Sequence, residues 1–391
     1  MKVGIITFWE SEDNYGQVLQ CWALQQFLKG MGHEPFLIRY KQYNPAPHLT
    51  FSYRIKQTVK GLIKMLLIYP ALKSHKQKQA ILKEQSYYKT CNALRLFADF
   101  REKNIDSTAS IYNNYEELKK HPPKADAYIT GSDQVWFYMD NLPNMLAYFL
   151  QFGDKNIKRI SYAPSIGSIS YPEEKKQRLK DYLSTFTAIS VREKSSMAIV
   201  EEAGYQVSQV VDPTLLLPAR DYISTFPGKK DRQPYIFIYS LNYFSKEDIA
   251  WDCIKNYAVQ HGLKIVVTPS SGYLPAKELF EGVEYEYATI GEWLNNIKNA
   301  QLVITPSFHG IIFSILFHKK FIFTPLKDWM EKSNNRVTVL LDDTALQQQI
   351  WDDQKTIDEY MSMAVNWEDV DKAIETKRVK SAFYLQNSLI S

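Results

Sequence analysis

Short runs rich in Val, Ile, Tyr and Phe recur along the chain, and most are followed by a polar or Gly/Pro turn and then by a helical pattern. That alternation points to parallel βαβ units, because parallel strands need a long crossover and a helix is the usual one. Strands are expected at 3–8, 34–40, 127–130, 159–163, 188–192 and 209–211, with a second set at 235–240, 264–268, 285–287, 302–305 and 321–323. Between the sets, 218–234 carries Pro218, Pro227, Gly228 and Pro234 among Lys229, Lys230, Asp231 and Arg232, which reads as a surface connection. The expected class is α/β, with two Rossmann-like domains facing a cleft. The first spans 1–212 with a basic helical insertion near 44–110, and the second spans 213–369. A helix over 370–391 packs back on the first domain. Ligands in such folds sit at the carboxyl ends of the strands.

Composition narrows the function classes. A chain of 391 residues, 45% hydrophobic, can build two cores. Its 47 basic against 43 acidic residues leave +4, which demands no nucleic acid and suits small anionic ligands. The three cysteines, Cys21, Cys91 and Cys253, are far apart and form no C-x-x-C, which argues against a disulfide scaffold or a zinc site and fits a reducing cytoplasm. The apolar run 1–8 is too short for a signal peptide and meets Glu10, Glu12 and Asp13 at once. No apolar stretch reaches the roughly 18 to 20 residues of a membrane span, since 62–72 is cut by Lys64 and Pro70. The basic stretch 54–83 has two readings, a peripheral contact with an anionic membrane face or a solvated helix packed on its own domain. Neither G-x-G-x-x-G nor G-x-x-x-x-G-K-[ST] occurs, so a dinucleotide or Walker-type cradle has no support.

Polar residues collect where the strands should end. Asn14 or Gly16 can cap the helix that carries Val18, Leu19 and Trp22, either as a plain turn or as a ligand loop. Gly131-Ser132-Asp133-Gln134 follows a strand and stands where a parallel sheet exposes side chains to a ligand, although a simple turn explains it equally. Arg192 ends an apolar strand, where its guanidinium can grip a carboxylate or phosphate or pair with Glu193. In Thr305-Pro306-Ser307-Phe308-His309-Gly310, Ser307 is a helix N-cap and His309 falls in the first turn, placed for proton transfer or as a satisfied structural histidine.

Taken in order, these segments resemble the polysaccharide pyruvyl transferase family: Asn14-Tyr15-Gly16, Gly131 to Trp136, Ser161-Tyr162-Ala163-Pro164-Ser165-Ile166-Gly167, Ser190-Val191-Arg192-Glu193, Val211-Asp212-Pro213-Thr214 and Ser307-Phe308-His309-Gly310. The family often shows an acidic residue where this chain has Pro306. The resemblance implies a fold similar to two-domain, GT-B-like glycosyltransferases. It also implies transfer of the pyruvyl group of phosphoenolpyruvate to two sugar hydroxyls as a ketal, with no metal or organic cofactor. The acceptor would be a sugar or glycan, free or lipid-linked, met in the cytoplasm or at the inner membrane face. By the same resemblance His309 is the general acid, with Ser307 near the phosphate, and Arg192 holds the donor. Arg336 is a further anion-binding candidate. Asn14, Gln17, Ser132, Asp133 and Gln134 line the acceptor side, with Asp133 as base. The alternatives are a nucleotide-sugar glycosyltransferase of the same architecture and a non-catalytic glycan-binding or assembly protein.

Overall fold

The computed structural model describes residues 1–9, 14–41, 75–137, 144–168, 170–228, 232–270 and 278–390. Strands β1 (Lys2–Ile6), β2 (Glu34–Tyr40), β3 (Ser107–Tyr112), β4 (Ala127–Thr130) and β5 (Lys158–Ser161) form a parallel sheet in the order β3-β2-β1-β4-β5. Strands β6 (Ser190–Val191) and β7 (Ser208–Gln209) make a separate parallel pair. Strands β8 (Tyr235–Ser240), β9 (Lys264–Pro269), β10 (Glu284–Tyr285), β11 (Leu302–Thr305) and β12 (Phe321–Phe323) form a second parallel sheet in the order β10-β9-β8-β11-β12. Both five-stranded sheets reverse winding direction beside their first strand, which is where open α/β sheets leave a crevice for ligands. The central strands β4, β8 and β11 are buried at every residue, because helices cover both faces of each sheet.

Two expectations need correction. Residues 188–192 and 209–211 do not extend the first sheet; they supply Ser190, Val191 and Gln209 to the β6–β7 pair, joined to β5 by a single bridge between Ile160 and Ala188. The basic insertion does not run as helix to 110, because Ser107–Tyr112 is an edge strand of the first sheet. Of the basic stretch 54–83, residues 54–74 lie outside the described residues, and the helix His75–Ala93 follows them. Among the described residues no helix is long and apolar enough to cross a membrane.

The two sheets are joined by aromatic packing around Tyr15, the first residue of the helix Tyr15–Gly30. Its ring stacks on Trp293 at 4.9 Å and 7°, and meets Tyr239 edge-on at 5.6 Å. The Tyr15 hydroxyl donates to the carbonyl of Ala288 at 2.5 Å and accepts from Arg95 Nη1 at 2.6 Å. Arg95 is itself only 1% exposed. Its Nη2 donates to the carbonyl of Pro269, its Nε donates to Asn92, and its guanidinium lies over the Tyr287 ring at 4.9 Å. No carboxylate pairs with Arg95 among the described residues.

The helix Trp367–Ile390 touches both halves. At its start Asp371 meets His318, and Trp367 stacks on the same imidazole. Further along, Arg378 Nε donates to the carbonyl of Leu215, Ser381 Oγ accepts from the amide of Val211, and Tyr384 donates to the carbonyl of Ser161.

Candidate active site

The helix Phe308–Leu316 begins directly beyond β11, with Ser307 as its N-cap accepting from the Gly310 amide at 3.2 Å. His309 is therefore held in the first turn at the carboxyl end of the second sheet. Its ring lies against the start of the helix Tyr15–Gly30. A Cβ placed on Gly16 would come within 1.9 Å of His309 Nδ1, so only glycine lets the two helix starts approach this closely. Asn14 caps that first helix by accepting from the Gly16 amide.

Opposite His309 stands Asp212, whose side chain is fully buried. Its Oδ1 accepts from the amide and hydroxyl of Thr214 at 3.0 and 2.7 Å. Its Oδ2 accepts from Arg192 Nη1 at 3.0 Å and from the Ser132 hydroxyl at 2.9 Å, and lies 3.5 Å from His309 Nε2. Burial alone would raise the Asp212 carboxyl. The charge and contact of His309, together with Arg192 and Thr214, outweigh it and hold the carboxyl far below the usual carboxylate range. Asp212 is thus a carboxylate at neutral pH in spite of its surroundings.

Arg192 sits just after β6 with its side chain 4% exposed. Nε pairs with Glu193 at 2.8 Å, and Nη1 serves Asp212 and Ser132, while Nη2 has no hydrogen-bond partner. Burial works to discharge the guanidinium, but Glu193, Asp212 and Asp133 keep it charged. Phe308 forms a platform for two cations, with Arg192 4.7 Å and Arg336 5.8 Å from its ring centre. Arg336 Nη1 lies 3.9 Å from Asp133 Oδ1, and Arg336 Nε is buried without a partner. Burial and then the like charge of Arg192 lower the Arg336 guanidinium from its ordinary value. Asp133 holds a left-handed backbone at φ 83°, and its carboxylate accepts from the Gln134 amide. Such a conformation costs energy unless its surroundings impose it, and such positions cluster at functional sites. A cavity of about 230 Å³ opens beside this cluster, walled by Arg192, Asp212, Phe308 and Arg336 and by residues of the C-terminal helix.

The structure therefore brings together Arg192, His309, Ser132, Asp133 and Arg336 out of the residues singled out in the sequence. Ser132, expected on the acceptor side, is fully buried and donates its hydroxyl hydrogen bond to Asp212. Asn14 and Ser307 spend their side-chain oxygens on helix caps. Gln17 accepts through its carbonyl from the side chain of Gln20, and Gln134 lies toward Gly167 rather than the cluster. The pairing of Arg192 with Glu193 is real and leaves one nitrogen over. Asp212 and Phe308 carry no role in the sequence reading, although both stand inside motifs quoted for the resemblance. The carboxylate facing His309 comes from Asp212, remote in the chain, and not from the position held by Pro306. Among the described residues no group of His, Cys, Asp and Glu is arranged to hold a metal ion.

Residues 14–369, nearly the whole chain, match the family model for polysaccharide pyruvyl transferase. No curated protein matches. Among solved structures, Arabidopsis thaliana UGT89C1 complexed with UDP-L-rhamnose is similar at 10% identity over 99% of this chain and 98% of that one, with a TM-score of 0.50. The UDP-GlcNAc 2-epimerase of Methanocaldococcus jannaschii, in complex with UDP-GlcNAc and UDP, aligns at 10% identity over 96% and 99%, with a TM-score of 0.46. At such identity the likeness to UGT89C1 concerns the fold alone, and the fold is that of two-domain, GT-B-like glycosyltransferases.

Proposed function

The chain belongs to the polysaccharide pyruvyl transferase family, and on that premise we propose that it transfers the pyruvyl group of phosphoenolpyruvate to two hydroxyls of a sugar in a glycan or glycan precursor. The observation that carries this reading is the meeting of Arg192 and His309 on one oxygen of Asp212. The chemistry needs an acid for carbon and a cation for the anionic donor, side by side, and these two residues supply them.

In the proposed sequence His309 gives a proton to the methylene carbon of phosphoenolpyruvate, which becomes a methyl group, and positive charge develops at the neighbouring carbon. One sugar hydroxyl adds there and loses its proton. Phosphate then departs with the bridging oxygen, and the second hydroxyl closes the ketal and loses its proton in turn. Of the two hydroxyl protons released, one restores His309 and the other leaves with phosphate or solvent. Asp212 fixes the imidazole and stabilises the arrangement as an ionised orienting group. Arg192 and Arg336 hold the donor's anionic groups, and Asp133, paired with Arg336, is placed to accept a hydroxyl proton. The proposal uses no metal or organic cofactor, and its acceptor is free or lipid-linked.

Incubation with phosphoenolpyruvate and candidate glycans should release phosphate and add a pyruvyl ketal to the acceptor. Thermal-shift titration separates the nucleotide-sugar alternative: stabilisation by a nucleotide sugar and none by phosphoenolpyruvate would reverse the assignment.

A further inference from the structure

We propose that the cavity of about 230 Å³ beside Arg192 is a phosphate compartment, and that the C-terminal helix supplies its outer cation, Lys380. The proposal rests on the donor reading above and adds where the phosphoryl group sits and which residues select it. Two buried guanidinium nitrogens that hydrogen-bond to nothing, Arg192 Nη2 and Arg336 Nε, belong to side chains that wall this cavity. A charged donor left unpaired in a protein interior is costly, and nearly every such group has a partner in native proteins. An anion bearing several acceptor oxygens would satisfy both at once.

The remaining walls are largely apolar and carry three carboxylates, Glu193, Asp212 and Asp343, each already paired with a cation: Glu193 and Asp212 with Arg192, and Asp343 with Lys377. Lys377 and Lys380 of the helix Trp367–Ile390 line the cavity from the opposite side. Lys377 is tied to Asp343 at 2.8 Å, which leaves its charge largely spent. Lys380 is exposed and forms no ion pair with any described residue. A ligand entering past Lys380 therefore moves from a free ammonium to one unbonded nitrogen on each of two guanidiniums. The volume, below the ~300 Å³ at which drug-sized ligand pockets begin, has room for a phosphate. His309 does not line the cavity. The compartment thus takes the leaving phosphate, and the carbon that receives the proton lies outside it, toward Asp212 and His309.

The test titrates inorganic phosphate into the full chain by calorimetry at constant ionic strength, with phosphoenolpyruvate in parallel. Wild type should bind phosphate, and phosphoenolpyruvate should compete for the same site. Lys380→Gln should weaken phosphate about five-fold, the scale of one exposed ion pair, and Lys380→Arg should restore it. Arg336→Gln should weaken it about 30-fold or more, as expected for a buried charged contact. Absence of phosphate binding by wild type, or equal affinity in wild type, Lys380→Gln and Arg336→Gln, overturns the compartment. If phosphoenolpyruvate binds wild type and both variants alike, the compartment falls together with Arg336 as a donor contact, while phosphoenolpyruvate as the donor stands. If phosphate binds as described but phosphoenolpyruvate does not bind at all, the compartment stands and the donor reading falls.

Discussion

Replacing Gly16 by alanine should separate catalysis from folding, because the three atoms nearest the new methyl group all belong to the His309 ring. The added Cβ would sit 1.9 Å from His309 Nδ1, 2.3 Å from Cγ and 2.7 Å from Cε1, where ordinary contact begins near 3.4 Å. The ring must therefore retreat by about 1.5 Å, the difference between 3.4 and 1.9 Å. That movement would disturb the 3.5 Å separation of Nε2 from Asp212. Overpacking of this kind costs about 1–3 kcal/mol, and alanine in a helix returns up to about 1 kcal/mol, so the net loss is about 0–3 kcal/mol. A misplacement near 1 Å can cost a catalyst about 100-fold. Gly30 closes the same helix with nothing within 4 Å of its would-be Cβ, which makes Gly30→Ala the control. It should gain about 0.4–1 kcal/mol and keep full turnover. Melting curves and phosphate release from phosphoenolpyruvate, measured on both variants, decide the matter. If Gly16→Ala is as stable and as active as Gly30→Ala, His309 does not pack on that glycine and its assigned position is wrong.

Asp212→Asn should destabilise the fold by about 3–5 kcal/mol at neutral pH, since Arg192 loses a buried counter-charge. The Asp212 carboxyl titrates far lower folded than unfolded, so its stabilisation is complete above the unfolded value near ~4 and fades as pH falls below it. Melting temperatures of wild type and Asp212→Asn should accordingly converge in acid, and a constant gap from pH 7 to pH 3 would contradict the assignment. His309→Gln should cut phosphate release by about 100- to 10,000-fold while calorimetry shows phosphoenolpyruvate still bound. Tyr15→Phe strips Arg95 Nη1 of its acceptor, which should cost about 1–3 kcal/mol by denaturant titration without changing phosphoenolpyruvate affinity.

The strands at 127–130, 235–240, 302–305 and 321–323 were legible because each is an apolar run closed by a turn and covered on both faces. Strand β3 was not, since Ser107–Tyr112 exposes most of its residues at a sheet edge and so lacks an apolar signature. At the site, His309 and Arg192 could be found because a strand end and a helix start place them in the chain itself. Asp212 could not be ranked that way. Its importance comes from Ser132, Thr214, Arg192 and His309 closing around one carboxylate, and these come from separate parts of both halves. The stacking of two arginines on Phe308 is hidden for the same reason, because a phenylalanine in an apolar helix looks like core until its neighbours are known.

Arg95 has given up its hydration for a phenol, an amide oxygen, a carbonyl and an aromatic face. Any parting of the two sheets along that seam must return water to a bare cation while peeling Tyr15 from Trp293. The halves are thus riveted rather than hinged at this point.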